Sequence, residues 1–328
     1  MRRLSLLYGH VARHPNSLAH SFTFIPINPL ILRGFSTTRS HNDLSPFTRR
    51  LFKLPSAPSP PSQHHDSLAQ FLTYASRISL PETSTVYVGT HYEYTVLQSL
   101  RRYALALHRI GGRDDAGIDL AGTWHLPEHE RERAVRVLVQ CKALKTKLGP
   151  NLVRELEGAL RQAPVGWRTG QTVGMLVSPR EATKGVRDAL ARSSFPLFWM
   201  MVERDGTLRQ ALWNARAEEM GLGALGVETR YDMSGHVDSG ASSEPRKEVA
   251  FTWDGCDIPD MDAVEGQLAH AEDQWVRSWT DNLDGVQKNV LLDTIEEAFP
   301  GGCPETDMDG TVSEIHRVKV IEALKAKA

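Results

Sequence analysis

Two apolar segments, residues 118–124 and 133–143, constrain the fold of this chain more than any other feature. Both have the length and apolar content of buried β-strands, and loop-forming residues flank them. The first segment opens on Ile-Asp after a glycine, and the second carries Val-Gln-Cys-Lys near its end. The sequence therefore predicts a carboxylate (Asp119), an amide (Gln140) and an ammonium group (Lys142) at strand ends.

These three side chains suit a divalent cation beside a phosphate group. A hard cation such as Mg²⁺ or Mn²⁺ takes oxygen ligands, which the Asp119 carboxylate, the Gln140 amide oxygen and the Cys141 backbone carbonyl would supply. Lys142 would orient or activate water next to a scissile phosphate. The pattern predicts metal-dependent phosphodiester hydrolysis.

Side-chain alternation adds a constraint to this prediction. Gln140 and Lys142 are two residues apart on one strand, so both point to the same face, whereas Cys141 points to the other. Two simpler interpretations stay open. Asp119 could be a solvated turn carboxylate, and Gln-x-Lys could mark a strand that emerges into solvent.

Glu93 is the fourth candidate. The pattern predicts a helix from Thr90, as its N-cap, to Arg102, which puts Glu93 in the first turn. A carboxylate on a neighbouring helix could bind a second cation or fix a water molecule by a hydrogen bond. The alternative is a glutamate that only stabilises the helix N-terminus.

Hydrophobic periodicity supplies the remaining elements of this region. It predicts a short helix over 71–78, strands over 105–110, 172–177 and 196–202, and helices over 151–163 and 181–192. With the two central strands, the order is αβββαβαβ, which indicates an α/β domain.

These residues, in this order, resemble the PD-(D/E)XK nuclease superfamily. The resemblance rests on Glu93 on a helix, Gly-Ile-Asp at the start of one strand and Gln-x-Lys at the end of the next. The Mrr-like restriction endonuclease branch is most similar, because glutamine there commonly replaces the acidic residue. The resemblance spans about residues 85–205 and implies a restriction-endonuclease-like core, a mixed central sheet flanked by helices, with Asp119, Gln140, Lys142 and Glu93 as the catalytic residues.

The N-terminus has the composition of a mitochondrial transit peptide. The first acidic residue is Asp43, and five arginines precede it. An acid-free cationic segment of this kind favours import into the matrix, with cleavage expected near Phe35. A disordered basic tail is the alternative. The Pro/Ser-rich stretch that follows, through residue 66, is typical of an extended linker.

Charged residues are distributed unevenly between the two parts of the chain. Residues 232–328 hold 21 Asp/Glu against 8 Lys/Arg, whereas residues 1–231 hold 19 against 30. The basic part contains the candidate site, which favours a nucleic-acid partner. The predicted organisation is a transit peptide (1–35), a linker (36–66), a nuclease-like domain (67–230), a second linker (231–248) and a mostly helical acidic C-terminal extension (249–328).

The C-terminal half of the chain and its overall composition carry four further features. A helix is expected over 209–220, so the Gly-x-Gly-x-x-Gly at 221–226 lacks the preceding strand of a dinucleotide site. A short strand is expected at 249–253, and helices at 261–280 and 282–298. The three cysteines are far apart and form no metal or disulfide motif. No apolar run reaches eighteen residues, so no membrane span is expected.

The transit-like N-terminus and the acidic, Trp-containing C-terminus resemble the fungal mitochondrial family called required for respiratory growth protein 7. The combined prediction is a Mg²⁺- or Mn²⁺-dependent endonuclease or exonuclease acting on mitochondrial DNA or RNA. The alternative is a non-catalytic nucleic-acid-binding or organelle maintenance factor that keeps the fold. A third hypothesis assigns the acidic C-terminal extension to a basic protein partner or to the chain's own basic groove, and homo-oligomerisation stays open.

Overall fold

A computed structural model describes most of the chain beyond the predicted transit peptide and linker. The described residues are 49, 54–55, 57–112, 117–127, 134–163, 166–167, 172–232, 246–280, 288–300 and 313–327. All of them belong to one compact unit, Leu44–Ala328. The predicted transit peptide, residues 1–35, lies outside the described residues.

The elements alternate between helices and strands in the N-terminal two thirds of the chain. The longer helices are α1 (Leu68–Arg77), α2 (Thr85–Leu100), α3 (Asn151–Arg161), α4 (Lys184–Arg192), α5 (Met261–Thr280), α6 (Lys288–Ala298) and α7 (Glu314–Lys327); short helical turns occur at Arg101–Tyr103, Ala215–Ala217 and Glu218–Leu222. The strands are β1 (Leu105–Arg109), β2 (Leu120–Trp124), β3 (Val135–Cys141), β4 (Thr172–Ser178), β5 (Leu197–Val202), β6 (Leu208–Trp213), β7 (Leu225–Asp232), β8 (Arg246–Trp253) and β9 (Cys256–Asp257).

The first six strands form one mixed sheet in the order β1-β2-β3-β4-β5-β6. Strand β2 is antiparallel to both of its neighbours, β1 and β3. Strands β3, β4 and β5 are parallel, and β6 is antiparallel to β5. The parallel strands are nearly continuous runs of buried residues, as expected for strands covered on both faces. The predicted α/β class, with a mixed central sheet flanked by helices, is confirmed.

Each face of this sheet has its own hydrophobic core. On one face, Val137 and Val139 of β3 pack in a cluster with Val96 and Leu100 of α2. On the other face, α3 and α4 contribute Leu152, Leu156 and Val186 among others to a second cluster with Leu176 and Trp199. Alternate residues of β3 therefore face α2 and α3, and this alternation positions the candidate site.

Helix α2 begins earlier than the sequence predicted. Ser84, not Thr90, is the N-cap, and its side chain accepts a hydrogen bond from the Tyr87 amide at 3.2 Å. Thr90 is buried in the helix interior. The prediction that Glu93 lies in the first turn is therefore wrong. The error arose because Ser and Thr are both good caps, and the local sequence does not encode the contact of Tyr87 in the additional turn with Phe71 of α1.

The predicted helix over 209–220 is also wrong in its first half. Residues Leu208–Trp213 form strand β6, which pairs with β5 through a hairpin at Asp205-Gly206. Gly206 has a φ of +86°, and the Thr207 amide donates to the Asp205 carboxylate at 2.9 Å. Helical structure begins only at Ala215, after Asn214 caps it. Leu, Arg, Gln and Ala favour helix intrinsically, but pairing with the exposed edge of β5 prevails.

A second, three-stranded antiparallel sheet, β7-β8-β9, packs against the first. Phe251 of β8 contacts Trp124 and Phe198 of the large sheet edge to face, and Tyr103 donates to the Val249 carbonyl at 2.8 Å. A turn at Asp254-Gly255 connects β8 to β9. The hydrophobic core thus continues past residue 230, and β8 is longer than the sequence predicted.

The C-terminal helices combine a salt-bridged contact with a small core of their own. Arg101, at the end of α2, pairs with Asp262 at 2.6 Å and Glu265 at 3.1 Å on α5. Trp275 and Trp279 are buried with residues of α6 and α7. Part of the acidic C-terminal charge therefore neutralises arginines of the same chain. No helix within the described ranges is both long enough and apolar enough to cross a membrane.

Acid should destabilise the fold through His125, which follows β2. Burial, and secondarily the Arg49 guanidinium, lower the pKa of this histidine to about 4. Because the unfolded state then binds the proton more tightly, stability is retained above pH ~6.5 and lost as the pH falls towards 4, by about 3 kcal/mol. Denaturant titrations at several pH values should show this loss shrinking in His125→Gln. An exposed histidine variant, His270→Gln, is the control; equal acid loss in all three proteins would contradict the assignment.

Candidate functional site

Asp119 lies just before β2 and joins it to the end of β3. Its backbone amide donates to the Val139 carbonyl at 2.9 Å, and its carboxylate Oδ2 accepts the Cys141 amide at 2.6 Å. The Asp119 residue therefore contacts both chain neighbours of Gln140. Gly117 makes this geometry accessible, since its φ of +84° turns the chain into the strand.

Gln140 is buried at this junction, with 3% of its surface exposed. A Cβ atom at Gly117 would lie 3.0 Å from the Gln140 amide nitrogen, a tight contact that, together with the positive φ, favours glycine there. No donor in the described part of the chain hydrogen-bonds to the Gln140 Oε1 atom. An unpaired buried acceptor is costly, which makes this oxygen available to a cation or a water molecule.

Lys142 follows the end of β3 on the same side as Gln140. Its ammonium group lies 3.4 Å from the Glu155 carboxylate of α3, and its backbone amide donates to the Val177 carbonyl at 2.8 Å. Lys142 keeps about a quarter of its side chain exposed (27%). The ammonium group is thus oriented by a carboxylate but still accessible from solvent.

Glu93 approaches the strand ends from the α2 side, the opposite side from Gln140. Its Oε2 atom accepts a hydrogen bond from the Arg109 Nε atom at 2.5 Å, and each side chain is only 13% exposed. The Arg109 guanidinium also lies over the Tyr94 ring, 5.7 Å from its centre. Glu93 therefore forms a mostly buried ion pair at the end of β1.

The pKa of the Cys141 thiol reflects the charged side chains around the end of β3. Burial raises the pKa of the Cys141 thiol well above its usual value, and the Asp119 and Glu93 carboxylates raise it further. Lys142 and Arg109 act in the opposite direction. Both predicted carboxylates are therefore close enough to act on the end of β3, and Cys141 itself stays a neutral thiol that is unsuited to nucleophilic chemistry.

Thiol labelling provides a direct check of this environment. In a Cys303→Ser background at mildly alkaline pH, Cys256 is exposed and should react rapidly with an aromatic disulfide reagent, whereas Cys141 should react only after denaturation. Adding Cys256→Ser should remove the rapid phase. Two rapid thiols in the native protein would contradict the raised pKa of the Cys141 thiol.

The donor atoms at the junction fit a hard divalent cation. Asp119 and Gln140 present carboxylate and amide oxygens, which Mg²⁺ and Mn²⁺ prefer, and the Gln140 oxygen lacks a protein donor within the described residues. The residues described here include no cluster of three or more His, Cys, Asp or Glu arranged as a metal centre. A cation at this position would thus depend on amide and backbone oxygens and on water besides Asp119.

Two residues at the site were missed by the sequence interpretation. Arg109 pairs with Glu93, and Glu155 pairs with Lys142. Neither belongs to a motif. Glu155 lies on the exposed face of an amphipathic helix, where a carboxylate usually needs no explanation, and Arg109 ends a strand whose register the sequence did not fix.

The fold and the site together define an α/β protein with polar residues at the junction of β2 and β3. A family model described as "Required for respiratory growth protein 7" matches residues 84–134 and 128–231. The match contains all four predicted site residues. It does not include the N-terminal and C-terminal segments that suggested this family from the sequence.

Individual relatives extend this finding. An uncharacterized mitochondrial protein of Schizosaccharomyces pombe is 34% identical over 157 residues, which is 47% of this chain and 61% of the relative. Proteins named "Required for respiratory growth protein 7, mitochondrial" are 28% identical in Saccharomyces cerevisiae (37% of this chain, 66% of the relative) and 30% in Lachancea thermotolerans (37% and 62%). The chain thus matches less than two thirds of the length of these relatives. No solved structure matches it. These similarities support a relationship to the fungal respiratory growth protein 7 family.

Proposed function

We propose that this chain is a mitochondrial nuclease that hydrolyses phosphodiester bonds of DNA or RNA with Mg²⁺ or Mn²⁺. The observation that carries the proposal is the junction of β2 and β3. There the Asp119 carboxylate, the buried Gln140 oxygen, to which no described residue donates, and the Lys142 ammonium group lie at adjacent strand ends. The resemblance of Gly-Ile-Asp and Gln-x-Lys, which contain these same residues, to the PD-(D/E)XK nucleases also favours this proposal.

The mitochondrial part of the proposal rests on two observations. The relatives from three yeasts are named mitochondrial, and the first acidic residue of this chain is Asp43. Both support a mitochondrial localisation. The matrix is the proposed compartment because a cleavable cationic presequence directs import there. Support of respiratory growth, through maintenance or expression of the mitochondrial genome, is the proposed biological role.

The residues of the site would have different roles in this hydrolysis. Asp119 and Gln140 would hold the cation, which when bound lowers the pKa of water and polarises a phosphoryl oxygen. Lys142 would donate hydrogen bonds to the phosphate and stabilise the negative charge that develops there. Glu155 would orient Lys142, and the Glu93–Arg109 pair would set the local field from the other face of the sheet.

A second function is favoured by specific features of the same site. Gln140 lacks the negative charge of an acidic ligand, and Glu93 is already paired with Arg109. Both features weaken the attraction for a divalent cation. A nucleic-acid-binding protein without catalysis, acting in organelle maintenance, is the corresponding alternative.

One experiment separates the two functions. The full chain is incubated with end-labelled single-stranded and duplex DNA and RNA, in Mg²⁺, in Mn²⁺ and in EDTA, and binding is measured in parallel. The nuclease proposal expects cleavage with either metal and none in EDTA. Binding that salt weakens, without cleavage under any of these conditions, would support the alternative.

A further inference from the structure

A cleft opens at the carboxyl ends of the parallel strands, next to Lys142 but separate from the site described above. Its volume is about 350 Å³. The lining residues are Leu144, Lys145, Pro179, Arg180, Glu203 and Arg204. They belong to the segments that directly follow β3, β4 and β5. In sheets with parallel strands, ligands bind preferentially outside these carboxyl ends.

Two arginines hold the loop that forms one wall of the cleft. Arg180 donates from Nη2 to the Lys145 carbonyl at 2.6 Å, and Arg204 donates from Nη2 to the Ala143 carbonyl at 3.1 Å. Each guanidinium group has five N–H donors and uses one in this bond. The two planar groups are thereby fixed in position while both side chains remain exposed.

The charge of the cleft is positive. Lys145, Arg180 and Arg204 are cationic, and the single carboxylate, Glu203, pairs with Arg209 at 2.9 Å. Fixed guanidinium groups match the geometry of phosphate oxygens, and less side-chain freedom is lost on binding when they are held beforehand. An anion with several oxygens is the ligand that suits this lining.

Backbone hydrogen bonds connect the wall of the cleft to the neighbouring candidate site. The Leu144 amide donates to the Lys142 carbonyl at 2.8 Å, and the Lys142 amide donates to the Val177 carbonyl of β4. Strand β5 lies two strand spacings, about 10 Å, from β3. A nucleic-acid strand advances about 3.4 Å per nucleotide along the axis of a duplex. The distance corresponds to a few nucleotides.

We infer that Lys145, Arg180 and Arg204 form a phosphate subsite that binds the nucleic-acid backbone a few nucleotides from the bond at Lys142. The inference rests on the proposed nucleic-acid function and specifies which surface holds the substrate. The subsite contacts the backbone and not the bases, so it contributes affinity without sequence preference.

The main test uses Lys145→Ala. Both arginines bond to backbone carbonyls, so this change leaves the loop contacts in place and removes only the ammonium group. Binding of labelled 20-mers is measured by fluorescence anisotropy in EDTA, where no cleavage can interfere, over a range of salt concentrations. The expected result is a threefold to tenfold weaker affinity at about 100 mM salt, with the log–log salt slope reduced by about 0.7 for single strands or 0.9 for duplex.

Arg180→Ala and Arg204→Ala should each produce a loss at least as large, and Arg180→Lys a smaller one. Arg192→Ala is the matched control, because Arg192 is also exposed and also donates to a backbone carbonyl, that of Asp188 at 3.0 Å, at the far end of α4. It should bind as the wild type does. Unchanged affinity and salt slope in Lys145→Ala, or an equal loss in Arg192→Ala, would overturn the inference.

Binding of inorganic phosphate tests whether the subsite holds a small free anion or the phosphates of a nucleic acid. Saturable phosphate binding by calorimetry, lost in Lys145→Ala and without any binding of the 20-mers, would point to a small anion and overturn the nucleic-acid assignment. The outcome for the nuclease proposal is separate. If binding depends on Lys145 but no cleavage occurs, the subsite is retained and the nuclease proposal is refuted. If the wild type cleaves and Lys145→Ala binds as the wild type does, the nuclease proposal is retained and the subsite is refuted.

Discussion

Asp119→Asn is expected to reduce nucleic-acid cleavage by about a thousandfold or more while the protein remains folded. Asparagine has nearly the shape of aspartate, and its side-chain oxygen can still accept the Cys141 amide, which is 2.6 Å from the carboxylate. The negative charge that attracts a divalent cation is lost. The change therefore separates the electrostatic role of Asp119 from its structural role. Single-turnover cleavage with Mg²⁺ or Mn²⁺ measures the effect.

Lys142→Met should lower the same rate by about a hundredfold or more, because the ammonium group no longer stabilises charge on the phosphate. Two variants serve as matched controls. Asp260→Asn alters another carboxylate that accepts a backbone amide, and Lys319→Met alters another lysine that contacts a neighbouring group. Both should cleave as the wild type does. Full activity in Asp119→Asn, with an unchanged metal requirement, would refute the assigned site.

Gly122→Ala is expected to destabilise the protein by about 3 kcal/mol or more. Gly122 lies in the centre of β2, opposite Leu107 of β1. A Cβ atom there would lie 1.9 Å from the Ala106 carbonyl oxygen and 2.9 Å from two further backbone atoms of β1. Because the obstacle is backbone, no side-chain rotation relieves it, and the pairing of β1 with β2 must separate locally.

Gly158→Ala is the matched control for this change. Gly158 is an exposed residue of α3, and a Cβ atom at this position meets no atom within 4 Å. Alanine favours helix over glycine, so this variant should be more stable by roughly 0.5–1 kcal/mol. The free energy of unfolding from denaturant titration measures both effects. A loss below about 1 kcal/mol in Gly122→Ala would mean that β1 and β2 accommodate the methyl group.

Several elements followed from local sequence. Strands β3, β4 and β5 are runs of β-branched and other apolar residues, and helix α3 shows Leu152 and Leu156 at helical spacing, so period and composition agree. Helix α5 matches the predicted range. The predicted alternation along β3 is confirmed, because Cys141 packs against the α2 core while Lys142 contacts Glu155 of α3. That alternation depends only on the two-residue period of a strand.

Other elements depended on contacts between distant segments. Strand β6 has the residues of a helix and becomes a strand because β5 offers an unpaired edge. The extra turn of α2 contacts α1 through Tyr87 and Phe71. Strand β8 extends back to Arg246 because β7 pairs with it residue by residue. In each case the competing local preference is smaller than the stabilisation from burial and pairing.

The candidate site also has features that follow from local sequence and features that depend on contacts between distant segments. Sequence by itself determined which groups stand at the strand ends, because Gly-Ile-Asp and Gln-x-Lys carry their chemistry in adjacent residues of single strands. Only the tertiary structure decided that Asp119 binds the Cys141 amide, that the Gln140 oxygen is buried without a donor among the described residues, and that Arg109 and Glu155 pair with Glu93 and Lys142. Strand periodicity fixes the direction of a side chain, whereas its partner comes from another element whose distance and register no local pattern encodes.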